Sequence, residues 1–262
     1  IKNPIIILLT KLLVNNIYKN CDLVLAQSRS FENNIKKYKS IKNNIDYFPA
    51  WSEFSLNVSN QKKAPEIKSK KDIFTLMYTG NIGEAQNFPA IVKAIEILSS
   101  KKIKKFRLIV VGNGSKKEWL INEINKKKLE HLIETYDTYP FEKMPSIFAH
   151  ADALLVSLSD QIAFNMTIPG KVQAYLATGI PILGMINGET AQVIKESKSG
   201  YSCNAGDYKQ LSELIILLIN EDKNKLKEMG LNGINYSERE FNKKNLILKL
   251  NNIFKKTLNE YS

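Results

Sequence analysis

Short apolar runs alternate with amphipathic segments through most of the chain after residue 72, and this alternation limits the folds open to it. The apolar runs, which predict buried strands, lie at 73–78, 106–111, 153–158 and 181–185, with a weaker strand pattern at 200–203. The amphipathic segments, which predict helices, lie at 88–100, 115–129, 170–178, 189–197 and 207–219. The sequence therefore predicts an α/β fold with a doubly wound parallel sheet, which binds ligands beyond the carboxyl ends of its strands.

A shorter helix and strand pattern precedes this sheet. Residues 4–20 have helical periodicity, residues 22–26 and 45–48 are strand-like, and Ser28 is a candidate cap for a helix between those two strands. The next stretch is polar and aperiodic, which predicts a linker. We therefore divide the chain into residues 1–51, a linker at 52–71, a main domain at 72–240 and a final helix in 241–262.

Composition and charge exclude several classes of protein. Hydrophobic residues fill 44% of the 262 positions, which suits a globular core. Cys21 and Cys203 fit neither a metal motif nor a disulfide framework, and the apolar run at 5–14 is too short to span a membrane. The net charge of +12 comes mostly from lysines spread over the helices. It fits either a compositional bias of the sequence or a polyanionic partner such as nucleic acid or acidic lipid.

Two glycine-containing turns follow the first two predicted strands of the main domain. One contains Gly80 and Gly83, and the other contains Gly112, Asn113 and Gly114. Glycine lets backbone amides approach an anion closely, and the helix after each turn presents its positive end. Neither turn completes a dinucleotide or Walker motif, so each is either part of a phosphate site or a plain tight turn.

Residues 167–183 carry the most informative pattern. Proline and glycine predict a helix that begins at Gly170 and places Lys171 in its first turn, where the helix dipole favours an acid instead. This placement fits either a bound phosphate or a solvated lysine. Glu189 occupies the next turn from strand to helix, where a carboxylate can accept bonds from sugar hydroxyls or cap the helix.

The segments 78–87, 111–114, 139–158, 168–171 and 183–189, taken in order, resemble the C-terminal half of retaining glycosyltransferases of family 4. The resemblance is strongest to the subgroup that transfers N-acetylated amino sugars, such as N-acetylfucosamine, in O-antigen or capsule synthesis. Residues 26–28 and 47–53 resemble the end of that family's N-terminal domain and its hinge. The resemblance implies a GT-B fold, in which two Rossmann-like domains face each other across a cleft, with residues 1–51 as the tail of a truncated acceptor-side domain.

The resemblance also implies a UDP-sugar donor and no resident cofactor or metal. Asn81, Gly83 and Gln86 would face the diphosphate, and Gly112, Asn113 and Gly114 would pass beneath the nucleotide. Tyr139 and Pro140 would line the uracil pocket, while Gly170 and Lys171 would meet the phosphates. Lys171 would stabilise the leaving diphosphate, and Glu189 is a candidate contact for the donor sugar.

The chain departs from the wider family at the donor site. Met166 and Ala174 stand where many members have two glutamates, so Gln173 becomes the candidate ribose contact. Asn81 and Gln86 stand where many members have Arg and Lys. Because most of the acceptor domain is missing from the sequence, along with the base it would hold, we expect this chain alone to be inactive.

The partners implied by the resemblance are a UDP-sugar and a lipid-linked or saccharide acceptor, without nucleic acid. They imply a cytoplasmic enzyme with a peripheral contact to the anionic inner membrane. Two alternatives to a glycosyltransferase remain open: a UDP-sugar epimerase of the same architecture, and a basic module that binds nucleic acid or anionic membranes. His131 and His150 are interpreted as structural or surface residues.

Overall fold

The computed structural model describes residues 3–38, 45–53, 58 and 61–260. Its strands form two parallel sheets. The smaller sheet pairs β1 (Val24–Ala26) with β2 (Ile45–Tyr47). The larger sheet contains β3 (Phe74–Thr79), β4 (Phe106–Val111), β5 (Ile133–Tyr136), β6 (Ala153–Ser157), β7 (Ile182–Met185) and β8 (Gly200–Cys203).

Helices connect the strands and cover the sheet. Two precede the larger sheet: α1 (Pro4–Lys19) and α2 (Arg29–Ile35). Seven lie between the end of β3 and Asn220: α3 (Phe88–Ser100), α4 (Lys117–Lys126), α5 (Met144–Phe148), α6 (Ile162–Asn165), α7 (Gly170–Thr178), α8 (Gly188–Ser197) and α9 (Tyr208–Asn220). The chain then continues through α10 (Lys223–Glu240) and α11 (Lys243–Glu260). In the part of the chain that is described, no helix has the length and apolar character to cross a membrane.

The larger sheet has the strand order β5-β4-β3-β6-β7-β8, with every pair parallel. The chain moves outward from β3 to β5, then returns to the other side of β3 and moves outward again. The direction therefore reverses between β3 and β6, and this switch point is where such sheets form a ligand crevice beyond their carboxyl ends. The doubly wound parallel sheet expected from the sequence is confirmed.

Two buried clusters occupy the two faces of the larger sheet. Alternate residues of β3 divide between them: Leu76 and Tyr78 belong to one cluster, and Met77 belongs to the other. The first cluster includes apolar side chains of α3 and α9, and the second includes those of α5 and α7. Because a parallel sheet is buried on both faces, its central strands have continuous apolar sequences, which explains why they were predicted.

The strand β5 was missed by the sequence prediction, as were the short helices α5 and α6. β5 lies at the edge of the sheet, and its sequence Ile-Glu-Thr-Tyr leaves three of four residues partly exposed. Glu134 and Thr135 lie between its two apolar residues, so β5 lacks the apolar run that marks β3, β4, β6 and β7. Ala64 and Ile67, in the predicted linker, are also buried in the second cluster.

The last helix returns to the first part of the chain. The Lys249 Nζ donates to the Tyr47 carbonyl oxygen at 2.6 Å, and Lys243 pairs with Glu53 at 3.0 Å. The Ser52 amide also donates to the Phe241 carbonyl oxygen at 2.9 Å. These contacts connect residues 47–53 with the C-terminal part of the chain.

Candidate functional site

The two glycine turns pack backbone against backbone at the carboxyl ends of β3 and β4. Gly112 has φ +152°, and a β-carbon built there would lie 1.9 Å from the Gly80 carbonyl oxygen. A β-carbon on Gly114 would lie 2.4 Å from the Ile82 carbonyl oxygen. The glycines at 112 and 114 are therefore required by the approach of the two turns, whether or not a ligand binds there.

Most amides of the first turn already have partners within the protein. The Gly80 amide donates to Val111, and the Ile82 amide donates to the Asn113 carbonyl oxygen at 2.8 Å. The Gly83 amide donates to the Gln86 Oε1 at 3.0 Å. These bonds hold the turn rigidly, but they leave little of its backbone to cradle an anion. An anion at this turn would therefore be bound mainly by the charge and the exposed polar groups beside it.

Two of the predicted diphosphate contacts lie side by side on this turn. The Asn81 Nδ2 donates to the Gln86 Oε1 at 3.2 Å, and Gln86 thereby connects Asn81 with Gly83. Asn81 is exposed, whereas Gly83 is buried. The structure thus brings together the three residues that the resemblance places at the diphosphate.

Lys171 lies in the first turn of α7, which begins at Gly170 as predicted. Its Nζ donates to the Tyr78 Oη at 2.8 Å and lies 4.0 Å from the centroid of the Tyr78 ring. A β-carbon on Gly80 would lie 3.2 Å from this Nζ, so the lysine reaches the first glycine turn. The N-terminal end of α7 and the carboxyl end of β3 therefore meet at the side chain of Lys171.

The electrostatics at Lys171 favour an anionic ligand. Among the described residues, no carboxylate forms an ion pair with Lys171. Burial lowers the pKa of its ammonium to about 7. The first amides of α7 add the positive end of a helix dipole. An anion bound here would restore the charged form of Lys171, because an opposite charge opposes the effect of desolvation.

Tyr139 and Pro140 follow β5, on the flank of the crevice. The Tyr136 carbonyl oxygen at the end of β5 accepts the Gly112 amide at 3.1 Å, so this segment begins beside the second glycine turn. Tyr139 is partly buried against the second cluster, and burial raises the pKa of its hydroxyl. Pro140 is exposed and precedes the short 3-10 turn at Phe141–Lys143.

Gln173 is buried with 1% of its surface exposed, and its amide already has a partner. The Gln173 Nε2 donates to the Ala50 carbonyl oxygen at 3.0 Å. This bond fastens α7 to the segment before the predicted linker. In this structure the side chain thus serves a contact within the protein and offers no surface to a ribose.

Glu189 caps a helix far away in the sequence. Its Oε1 accepts the Arg29 amide at 3.0 Å, and its Oε2 accepts the Ser30 amide at 3.2 Å and the Ser30 hydroxyl. Both carboxylate oxygens therefore satisfy the first turn of α2, which needs acceptors for its unpaired amides. The sequence suggested two roles for Glu189: a cap of its own helix, or a contact to a sugar. It did not indicate α2 as the partner of Glu189.

The residue that sequence analysis missed at this site is Tyr78. The available signal was its position in β3, two residues before Gly80. His150, interpreted as structural, is buried, and its Nε2 lies 2.9 Å from the Ala64 carbonyl oxygen. No group of three or more potential metal ligands occurs among the residues that the structure describes.

Comparisons with known proteins agree with this architecture. The chain is 25% identical over 167 residues to the "Putative colanic acid biosynthesis glycosyl transferase WcaI" of Escherichia coli (strain K12), covering 61% of this chain and 39% of that protein. It is 22% identical over 206 residues to the "N-acetyl-alpha-D-glucosaminyl L-malate synthase" of Bacillus anthracis, covering 77% of this chain and 51% of that protein. The chain therefore spans about half or less of the length of these curated relatives.

A solved structure shows the same fold. The structure of Alr3699/HepE from Anabaena in complex with UDP matches with a TM-score of 0.76 at 14% sequence identity, covering 93% of this chain and 66% of that one. The Rossmann-like, GT-B type architecture expected from the sequence is thus confirmed. The family model described as "Glycosyl transferases group 1" matches residues 59–236, well over half of the chain. On this match, the chain belongs to the group 1 glycosyl transferases.

Proposed function

We propose that this chain is the donor-binding part of a glycosyltransferase that uses a UDP-sugar. The observation that carries the proposal is the ammonium of Lys171, which lies at the switch point of the sheet beside the first glycine turn and has no carboxylate partner among the described residues. A diphosphate is an anion of suitable charge for this position. Family membership supports the same interpretation.

In this proposal Lys171 acts during departure of the sugar. Negative charge builds up on the diphosphate oxygens as the bond to the sugar breaks, so a fixed ammonium stabilises the transition state more than the bound substrate. The N-terminal end of α7, at Gly170, adds to this stabilisation. Neither contribution requires a metal ion.

We assign the remaining residues around this anion by their position. Asn81, with Gly83 and Gln86 behind it, would bind the diphosphate from the first glycine turn. Gly112, Asn113 and Gly114 would support the nucleotide, and Tyr139 with Pro140 would border the uracil. Gln173 would reach a ribose only after leaving Ala50, and Glu189 would reach the sugar only after leaving α2.

We infer that the sugar is an N-acetylated amino sugar, transferred with retention in cell-surface polysaccharide synthesis. The resemblance to amino-sugar transferases supports this inference, as do the names of the two relatives, which mention colanic acid biosynthesis and an N-acetylglucosaminyl product. The Anabaena structure contains UDP, which supports the nucleotide. The acceptor would be a saccharide or a lipid-linked saccharide at the cytoplasmic face of the membrane, bound by the other half of the enzyme.

The test is a thermal-shift series with UDP, GDP, dTDP, ADP and a short single-stranded DNA. Ligands that bind only the folded state raise the melting temperature by mass action. We expect a rise selective for UDP that Lys171→Ala abolishes. The matched control is Lys209→Ala, which removes an exposed lysine on α9 and should leave the rise unchanged. Equal shifts with ADP and UDP, or a shift with DNA alone, would refute the proposal.

A further inference from the structure

We propose that Tyr78 is a positioning residue of the donor site, whose hydroxyl fastens the ammonium of Lys171 to the backbone of the first glycine turn. This proposal rests on the proposed function for its role in diphosphate binding. The contact between the two side chains stands on geometry alone. Tyr78 is fully buried and lies at the end of β3, next to the turn that it would hold.

The hydroxyl of Tyr78 bonds in two directions. It donates to the Asn81 carbonyl oxygen at 2.5 Å, and the Lys171 Nζ lies 2.8 Å from the same oxygen. A phenol has one proton to donate, and here the Asn81 carbonyl receives it. The lone pairs of the oxygen therefore face Lys171, which has to be the donor. The hydroxyl is thus oriented to accept from an ammonium.

The ring of Tyr78 adds a second constraint on the cation. The Lys171 Nζ lies over this ring, and a cation over an aromatic face is attracted by the electron density of the ring. The ring is itself fixed by an edge contact with Phe88, at 5.0 Å between centroids and 77° between planes. The ammonium is therefore attracted to a ring that is itself packed against Phe88.

The surroundings leave the tyrosine neutral. Burial raises the pKa of Tyr78, and its neighbour Tyr175 raises it further. The pKa of Tyr175 is itself raised to about 12 by burial. Lys171 is therefore the one group of these three that changes charge near neutral pH. A bound diphosphate would contact both the ammonium and the glycine turn. The Tyr78 hydroxyl oxygen is hydrogen-bonded to each of them.

The variant that tests this role is Tyr78→Phe, which keeps the ring, the contact with Phe88 and the attraction between cation and ring. It removes only the hydroxyl. Because a hydrogen bond to a charged group is lost, we expect the Kd for UDP to rise about tenfold or more. The matched control is Tyr201→Phe, which removes a hydroxyl bonded to Glu221 at 2.7 Å on the far strand β8 and should leave UDP binding unchanged.

A measurement without nucleotide separates this proposal from the proposed function. The titration of Lys171 is followed by NMR on lysine labelled at Cε, with the resonance assigned by its loss in Lys171→Arg. We expect a lower midpoint in Tyr78→Phe than in the wild type or Tyr201→Phe, since the cation has lost an acceptor. An unchanged midpoint would overturn the positioning role, even if UDP binds and Lys171→Ala abolishes its binding.

The opposite result is equally clear. If the wild type shows no preference for UDP and the midpoint still falls in Tyr78→Phe, the proposed function fails while the control of Lys171 by Tyr78 stands. A rise in the Kd for UDP in Tyr201→Phe as large as that in Tyr78→Phe would show a general effect of losing a tyrosine hydroxyl. That result would also overturn the proposal.

Discussion

Removing the charge of Glu189 should loosen α2 without weakening nucleotide binding. In Glu189→Gln the side chain keeps its size but presents one acceptor oxygen and one amide group to donors that include the backbone of Arg29 and Ser30. One amide of α2 then faces another N–H group and loses its partner. The negative charge that stabilises the N-terminal end of the helix is lost as well.

The magnitude follows from these two losses. A hydrogen bond to a charged group contributes about 1.5–3 kcal/mol, and the charge at a helix end contributes about 0.3–1 kcal/mol. Glu189 is partly exposed, so water replaces part of what is lost, and we expect the unfolding free energy to fall by about 2 kcal/mol. For a chain of this size the melting temperature should fall by roughly 5 °C.

Urea denaturation measures the loss, and hydrogen exchange of the amides of residues 29–31 locates it. Glu213→Gln is the matched control, because Glu213 lies exposed on α9. We expect equal affinities of wild type and Glu189→Gln for UDP and for a UDP-sugar. If the variant keeps its stability but binds the UDP-sugar selectively more weakly, Glu189 is a sugar contact, and the assignment as a cap of α2 is refuted.

Three further predictions follow from buried or crowded positions. Gly112→Ala should cost about 3 kcal/mol or more in urea denaturation, because its methyl group would overlap the Gly80 carbonyl oxygen; an unaffected midpoint would contradict the packing of the turns. Arg107→Met should cost about 3 kcal/mol by calorimetry, since Arg107 is 2% exposed and its loss removes the donor to the Lys68 carbonyl oxygen and the Thr75 hydroxyl. A smaller loss would show that water reaches these groups. Lys171→Met should stabilise the ligand-free chain below pH 7, because the lowered pKa of Lys171 means that folding buries an ammonium there. This gain in stability should shrink toward pH 10, where the lysine of the folded wild type is neutral. A constant difference in stability from pH 6 to pH 10 would argue against the burial of that charge.

The sequence predicted the elements that depend on local patterns. β4 was predicted with the bounds that the structure gives, because a strand covered on both faces has a short apolar run that ends at a turn. β8, an edge strand of sequence Gly-Tyr-Ser-Cys, was also predicted with its observed bounds, from a weaker pattern. The start of α7 followed from the pairing of proline and glycine before Lys171. β5 was missed because Glu134 and Thr135 interrupt its apolar pattern.

The partners of the site residues could not be predicted, because each is a contact between distant parts of the sequence. Nothing near Gln173 in the sequence indicates Ala50, and nothing near Glu189 indicates α2. Tyr78 was read as a strand residue, and its role depends on α7 placing Lys171 over its ring. Residue types and spacing predicted the site residues, whereas the bonds among them depend on the tertiary fold.

The bond between Gln173 and Ala50 couples the position of α7 to the backbone at Ala50. Gln173 lies two residues after Lys171 on a helix of nine residues, so a pull on the peptide at Ala50 acts less than one turn from the ammonium. Lengthening the chain just before Ala50 by one residue would shift the point of attachment without touching any ligand. A change in the position of Ala50 is therefore expected to move Lys171 and the crevice at the carboxyl ends of the strands.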